Sequence, residues 1–206
     1  MDITCIGHSG FLIELPEYNL IFDYYTDKTG VITPALFKHK RTFVFVSHGH
    51  RDHYNAQIFS WRGWGEIIYL LESSVGGVPE DIAAVRLREG DNLDILNGAV
   101  SVRAYGSTDE GVSFLVGACG LSIFHAGDLN DWYWEDESTP EELTADEQSY
   151  LQIIRQLAGR HIDIAFLPED PRLGRNAGRG IQHFKKIVAP GRIISMHFPG
   201  NDGLKY

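Results

Sequence analysis

The chain has 206 residues, 43% of them hydrophobic and 22% charged, close to globular averages, which argues against an unstructured polypeptide. No apolar run reaches the ~18 residues of a membrane span, and the opening MDITCIGHSG lacks the basic flank of a signal peptide. The net charge of −10 comes with 9 acids and no Lys or Arg between Asp128 and Glu147, so no basic stripe is offered to a nucleic acid. The length predicts a single domain over residues 1–206. Two cysteines, Cys5 and Cys119, make neither a disulfide framework nor a CxxC pair, which fits a reducing, cytoplasmic setting.

Strand-like runs dominate. Asp2–Ile6, Phe11–Leu15 and Leu20–Tyr24, broken at Gly10 and at Pro16-Glu17-Tyr18-Asn19, read as a hairpin ladder. Thr42–Ser47 is apolar and β-rich, as a buried strand would be. Glu66–Leu71, Asn92–Leu96, Ala99–Tyr105, Val112–Val116 and Leu121–His125 continue the pattern. A helix is predicted to start at Ser138-Thr139-Pro140-Glu141-Glu142 and to run through Leu143, Tyr150, Leu151, Ile154 and Leu157 until Gly159. Ile162–Leu167 returns to strand, Ala177–Val188 reads as a helix, and Ile193–His197 as a last strand. Strands first, then strands mixed with helices, predict a layered α/β domain.

The chemistry concentrates in His48-Gly49-His50-Arg51-Asp52-His53, directly after the apolar strand. Three imidazoles and a carboxylate in six residues are the donor types that hold zinc and similar first-row metals. Gly49 lets the backbone turn tightly enough for these side chains to converge. The bland alternative is a solvated turn with incidental histidines, and three His with Asp at this spacing weigh against it.

The HxHxDH spacing resembles the signature of the metallo-β-lactamase superfamily. Three further stretches resemble it in order: Gly7–Glu14 with Leu20–Asp23, similar to the opening of the ascorbate-phosphate lactonase-like branch; His125-Ala126-Gly127-Asp128, similar to the GD motif; and Ile193-Ile194-Ser195-Met196-His197, similar to the late strand that delivers the last His. The resemblance implies a four-layer αββα sandwich. It also implies one or two divalent metal ions, zinc foremost with manganese or iron as alternatives. His48 and His50 would bind one, Asp52, His53 and His197 the other, with Asp128 bridging. A divalent cation lowers the pKa of bound water from 15.7 to about 7, which supplies a nucleophile for a carbonyl or phosphorus centre. Asp52 would orient that nucleophile as well as ligate. No GxSxG, P-loop or GxGxxG pattern competes.

One departure stands out. Relatives with two equal sites supply a third His to the first metal from the loop read here as Ala104–Val112, which contains none. Ser107 falls where that His would, and Asp109, two residues on, is the candidate oxygen ligand, so a weaker first metal and a tighter second one are expected; the alternative is that a distant histidine, His8 or His183, completes the first site. Arg172 and Arg175, in the loop Pro171–Gly180, are candidates for binding an anionic substrate. Glu169-Asp170 has the weaker of two readings as a contact to metal-bound water and the stronger as a solvated turn before Pro171, and His125 reads as a packing residue in preference to a ligand. His183 has the weaker of two readings as a residue facing the cleft. Asp131-Trp132-Tyr133-Trp134-Glu135 suits a substrate wall, a packing segment or a contact with a second copy of the chain. The function expected is a metal-dependent hydrolase of a small, anionic ester, lactone or phosphorylated compound. The alternatives are a phosphodiesterase or nuclease, a flavin-coupled di-iron oxidoreductase, and a non-catalytic metal-binding protein.

Overall fold

A computed structural model describes residues 1–206. The chain forms two compact units, Met1–Arg88 with Pro199–Tyr206, and Glu89–Phe198.

The first unit is a six-stranded sheet in the order β1 (Asp2–Gly7), β2 (Gly10–Glu14), β3 (Tyr18–Phe22), β4 (Arg41–Val46), β5 (Ile67–Glu72), β6 (Ala84–Leu87). The expected ladder β1–β2–β3 is antiparallel, and β3 to β6 run parallel. Strands β2, β3 and β4 read as near-continuous apolar runs because both their faces are buried, as is usual for the parallel pair β3–β4 and as also holds for the antiparallel β2 beside it. On one face Ile6, Leu12, Ile21, Val44, Val46, Tyr69 and Leu71 pack with Tyr24, Phe37, Phe59 and Trp61. Phe22 and Phe45, on neighbouring strands, stack at 4.6 Å. Each such ring contributes about 1.5–3 kcal/mol by leaving water. The segment after Pro199 pairs along β1, with the Leu204 carbonyl accepting from the Cys5 N–H at 2.9 Å.

Two elements here were not legible. Strand β6 is short, half-exposed and flanked by charge, an edge strand without a hydrophobic signature. The 3₁₀ stretch Ala56–Gly63 buries Ile58, Phe59 and Trp61, of which Ile58 and Trp61 share a face at the three-residue period rather than the α-helical one.

The second unit is another six-stranded sheet, in the order β12 (Arg192–Met196), β11 (Ile164–Pro168), β10 (Leu121–His125), β9 (Ser113–Ala118), β8 (Val100–Tyr105), β7 (Asn92–Ile95). Strands β7 to β10 are antiparallel and β10, β11 and β12 parallel. Helix α1 spans Pro140–Arg155, capped by Thr139 with Pro140 opening the first turn: Thr139 Oγ accepts from the Glu142 N–H, and the Glu142 carboxylate accepts from the Thr139 N–H. It ends earlier than Gly159, closing in a tight turn where the Gln156 N–H reaches the Ile153 carbonyl. Helix α2, Arg179–Ile187, stacks Phe184 on Phe124 of β10 at 5.2 Å. The Tyr150 hydroxyl ties α1 to α2 by donating to the Gly180 carbonyl at 2.8 Å. No helix is long and apolar enough to cross a membrane.

Candidate metal centre

In both units the candidate ligands follow the carboxyl ends of strands, where loops of open α/β sheets gather ligands. In the first unit β4 runs straight into the histidine cluster. His48 and His53 are fully buried, whereas His50 is exposed. The Nε2 of His48 lies 3.0 Å from the Nδ1 of His50. Asp23, at the end of β3 and itself fully buried, organises the group. It accepts from the Ser47 N–H and hydroxyl, both at 2.7 Å, and pairs with His53 Nδ1 at 2.8 Å. The Ser47 Oγ in turn lies 2.9 Å from His48 Nδ1. One carboxylate therefore orients His53 directly and His48 through a serine.

Asp52 is half-exposed, with Oδ2 at 3.4 Å from His8 Nε2, and ligand atoms of His8, Asp52 and His53 lie within 4.8 Å of one another. The His8 imidazole, then the charge of His53, hold the Asp52 carboxyl well below the usual range in spite of burial. His8 is fixed through its main chain, which exchanges two hydrogen bonds with the Asn201 side chain. His8 at φ 51° and Asp23 at φ 42° occupy the left-handed region, backbone strain that tends to gather at functional sites.

In the second unit Asp128 follows β10 through Gly127, and His197 follows β12 at φ 66°. His197 Nε2 lies 3.3 Å from Asp128 Oδ1, and both residues are buried. His197 Nδ1 lies 3.0 Å from Oδ2 of Asp170. Asp170 is not the solvated turn its sequence suggested: it is buried, caps the 3₁₀ turn Pro171–Asn176 and takes the Arg172 fork. Burial pushes its carboxyl up, but the Arg172 contacts and the charge of His197 outweigh this and hold it ionised. Trp132 donates its indole N–H to the Asp128 carbonyl at 2.9 Å and sets its ring edge-on to His197 at 5.5 Å. Oxygens of Asp109 and Asp128 lie within 4.8 Å of each other, and the Ser107 hydroxyl accepts from the Asp109 N–H at 3.3 Å.

The donors present suit a divalent metal. Metal-binding histidines as a rule give their outer ring nitrogen to a carboxylate, which fixes the tautomer and frees the other nitrogen to coordinate. His53 with Asp23 and His197 with Asp170 have this arrangement in separate units. Two imidazole nitrogens bound to one tetrahedral zinc at about 2.0–2.1 Å sit roughly 3.3 Å apart, close to the His48–His50 separation.

The remaining expectations fall as follows. The Arg175 guanidinium pairs with Glu135, and Arg172, besides its Asp170 contact, lies over the Trp134 ring at 5.6 Å. Both arginines line a cavity of about 480 Å³ with Trp134 and Asn176, together with the acids Glu135, Asp136 and Glu137. His183 faces Asp131 and Glu147, where Arg179 also reaches. His125 is buried as a packing residue, its Nδ1 accepting from the Gly127 N–H at 3.2 Å. The roles of Asp23 and Ser47 went unread and Asp170 was read as a solvated turn; only the placement of Asp23 and Asp170 just past strand ends could have flagged them.

Residues 2–140, more than half of the chain, match the model of the β-lactamase superfamily domain. A protein of Heliobacterium modesticaldum named as a UPF0173 metal-dependent hydrolase is 26% identical, the match covering 96% of this chain and 82% of that protein. Among solved structures, the metallo hydrolase Igni18 of Ignicoccus hospitalis matches with a TM-score of 0.66 at 15% identity, over 95% of this chain and 82% of its own. The metallo-β-lactamase fold protein YhfI of Bacillus subtilis matches with a TM-score of 0.63 at 12% identity, over 97% of this chain and 87% of its own. These likenesses confirm the α/β sandwich expected from the motifs. The chain belongs to the metallo-β-lactamase superfamily and is a metal-dependent hydrolase of that fold.

Proposed function

We propose that His48, His50, Asp52, His53, Asp128 and His197 hold a centre of one or two divalent ions, and that Asp109 takes the place of the missing third histidine. The substrate is a small ester, lactone or phosphorylated compound, and it is anionic. The observation that supports the reading is the pair of buried carboxylate–imidazole couples, Asp23 with His53 and Asp170 with His197, each of which engages Nδ1 and leaves Nε2 as the nitrogen that would coordinate. When bound, the metal would acidify a coordinated water and polarise the substrate oxygen that gains charge.

The chain's own residues do the rest. Asp52, half-exposed and ionised beside His8, accepts a hydrogen bond from the attacking water and aims its lone pair. Trp132 closes one side of His197 against solvent. Arg172 and Arg175 are the cations beside the 480 Å³ cavity, and an anionic substrate would compete there with Asp170 and Glu135. An Asp in place of His makes the first site richer in oxygen, which moves preference from zinc toward manganese or iron. The two free cysteines suit a reducing cytoplasm.

Elemental analysis of the purified protein, followed by an ester, lactone and phosphodiester panel, tests the proposal. At least one zinc, manganese or iron per chain is expected, with hydrolysis of an ester or lactone. The double variant His53→Ala with His197→Ala should lose most of that metal. Unchanged metal content in the double variant refutes the ligand assignment, and turnover of phosphodiesters alone refutes the substrate class.

A further inference from the structure

Asp109 sits on an exposed loop after β8, a poor place from which to hold a metal unless something fixes the loop. The neighbouring residue does this. The Thr108 hydroxyl donates to the Asn130 carbonyl at 2.6 Å and accepts from the Asn130 N–H at 3.0 Å. One hydroxyl thus satisfies both main-chain groups of one residue, as a partner strand would, across 22 positions of sequence. Asn130 lies two residues past Asp128, and Thr108 one residue before Asp109, so the contact joins the two carboxylate-bearing loops next to the carboxylates themselves. Both loops are held elsewhere as well. The Ser113 hydroxyl donates to the Gly106 carbonyl at 3.1 Å, and the Asn130 side chain is wedged against Gly180 of α2, where a Cβ would come within 2.2 Å of its Oδ1. Thr108 is the link between them.

We propose that Thr108 is a positioning residue that sets the Asp109 carboxylate against Asp128 and so builds the oxygen-rich side of the first metal site. The proposal rests on the ligand set of the preceding section, and it adds a role for a residue that touches no metal. Replacing Thr108 by Val keeps shape and removes both hydrogen bonds, leaving the Asn130 main chain unpaired and Asp109 unguided. Outer residues that orient metal ligands are worth about 10–100-fold in affinity, so Thr108→Val should weaken the weaker binding step at least about tenfold and leave the tighter step within about twofold. Thr108→Ser keeps the hydroxyl and should restore wild-type affinity.

Calorimetric titration of the apo protein with manganese, alongside thermal unfolding of the same apo samples, is the test. A double-mutant cycle locates the effect. If Thr108 works through Asp109, adding Thr108→Val to Asp109→Ala should change the weak step by less than about twofold. Loss of that step in Thr108→Val, rescue by Ser and silence in the Asp109→Ala background together support the proposal. An unaltered weak step in Thr108→Val overturns it while the ligand assignment stands. An equal loss in the Asp109→Ala background, or a fall in apo melting temperature that Ser does not reverse, reduces Thr108 to a structural residue. A wild-type chain that takes up no manganese, zinc or iron overturns the ligand assignment, and this proposal with it.

Discussion

The buried carboxylate of Asp23 offers the sharpest separation of folding from metal binding. It accepts three hydrogen bonds of 2.7–2.8 Å, from the Ser47 N–H, the Ser47 hydroxyl and His53 Nδ1. Asp23→Ala strands all three partners in a site closed to water, at about 1–3 kcal/mol each. It also puts a Cβ-bearing apolar residue at φ 42°, which costs about 1–2 kcal/mol more. A loss of at least about 4 kcal/mol is expected, a large part of the roughly 5–15 kcal/mol that stabilises a typical domain. Asp23→Asn is a different perturbation. Asparagine tolerates the left-handed region and its carbonyl can still accept from the Ser47 N–H, so the fold should lose only about 1–2 kcal/mol. Its amide, however, presents N–H to His53 Nδ1 where the carboxylate presented a lone pair. His53 must then carry its proton on Nε2, the nitrogen needed for the metal. Metal affinity should fall about 10–100-fold, equivalent to about 1.4–2.7 kcal/mol. Urea unfolding of the apo proteins measures the first quantity, and competition against a coloured chelator the second. If Asp23→Asn binds metal within twofold of wild type, the tautomer argument is wrong. If Asp23→Ala unfolds with wild-type stability, so is the network.

Asp170→Asn should act on His197 in the same way, costing about tenfold or more in metal affinity, and Arg172→Ala less, since Asp170 keeps its backbone partner; equal losses in chelator competition would contradict this order. Gly180→Ala should destabilise by about 1–3 kcal/mol in urea although alanine is the better helix former, because its Cβ would collide with the buried Asn130 side chain; a gain in stability would refute the contact. Burial pushes the Cys5 thiol up from 9.0 to about 11, with the charge of Asp202 adding and the Gly7 backbone N–H opposing. The folded state holds this proton more tightly than the unfolded one, so the contribution is complete below pH 9 and lost as pH rises through 11. Wild type should therefore lose about 2 kcal/mol more than Cys5→Val between those pH values, and parallel pH–stability curves would show that Cys5 is not the titrating group.

What the sequence made legible follows from how far each signal reaches. The strands announced themselves through apolar runs such as Thr42–Ser47, since burial on both faces is a property of consecutive residues. The candidate ligand histidines did so because His48, His50 and His53 share one turn. The residues that aim them did not. Asp23 acts on His53 from 30 positions away, Asp170 on His197 from 27, and Thr108 on Asn130 from 22. Nothing local distinguishes Asp170 from its exposed neighbour Glu169: both are acids before a proline, and only the fold turns one toward His197 and the other toward water. Periodicity also misplaced ends rather than elements. Helix α1 stops at Arg155 although Leu157 continues the apolar spacing, because Leu157 is buried from the turn that follows the helix. The loop after β8 combines both limits. Its lack of histidine was plain, and Asp109 was the acid within reach. Whether an exposed aspartate can serve as a ligand depends on a threonine whose importance comes entirely from the residue it meets in space.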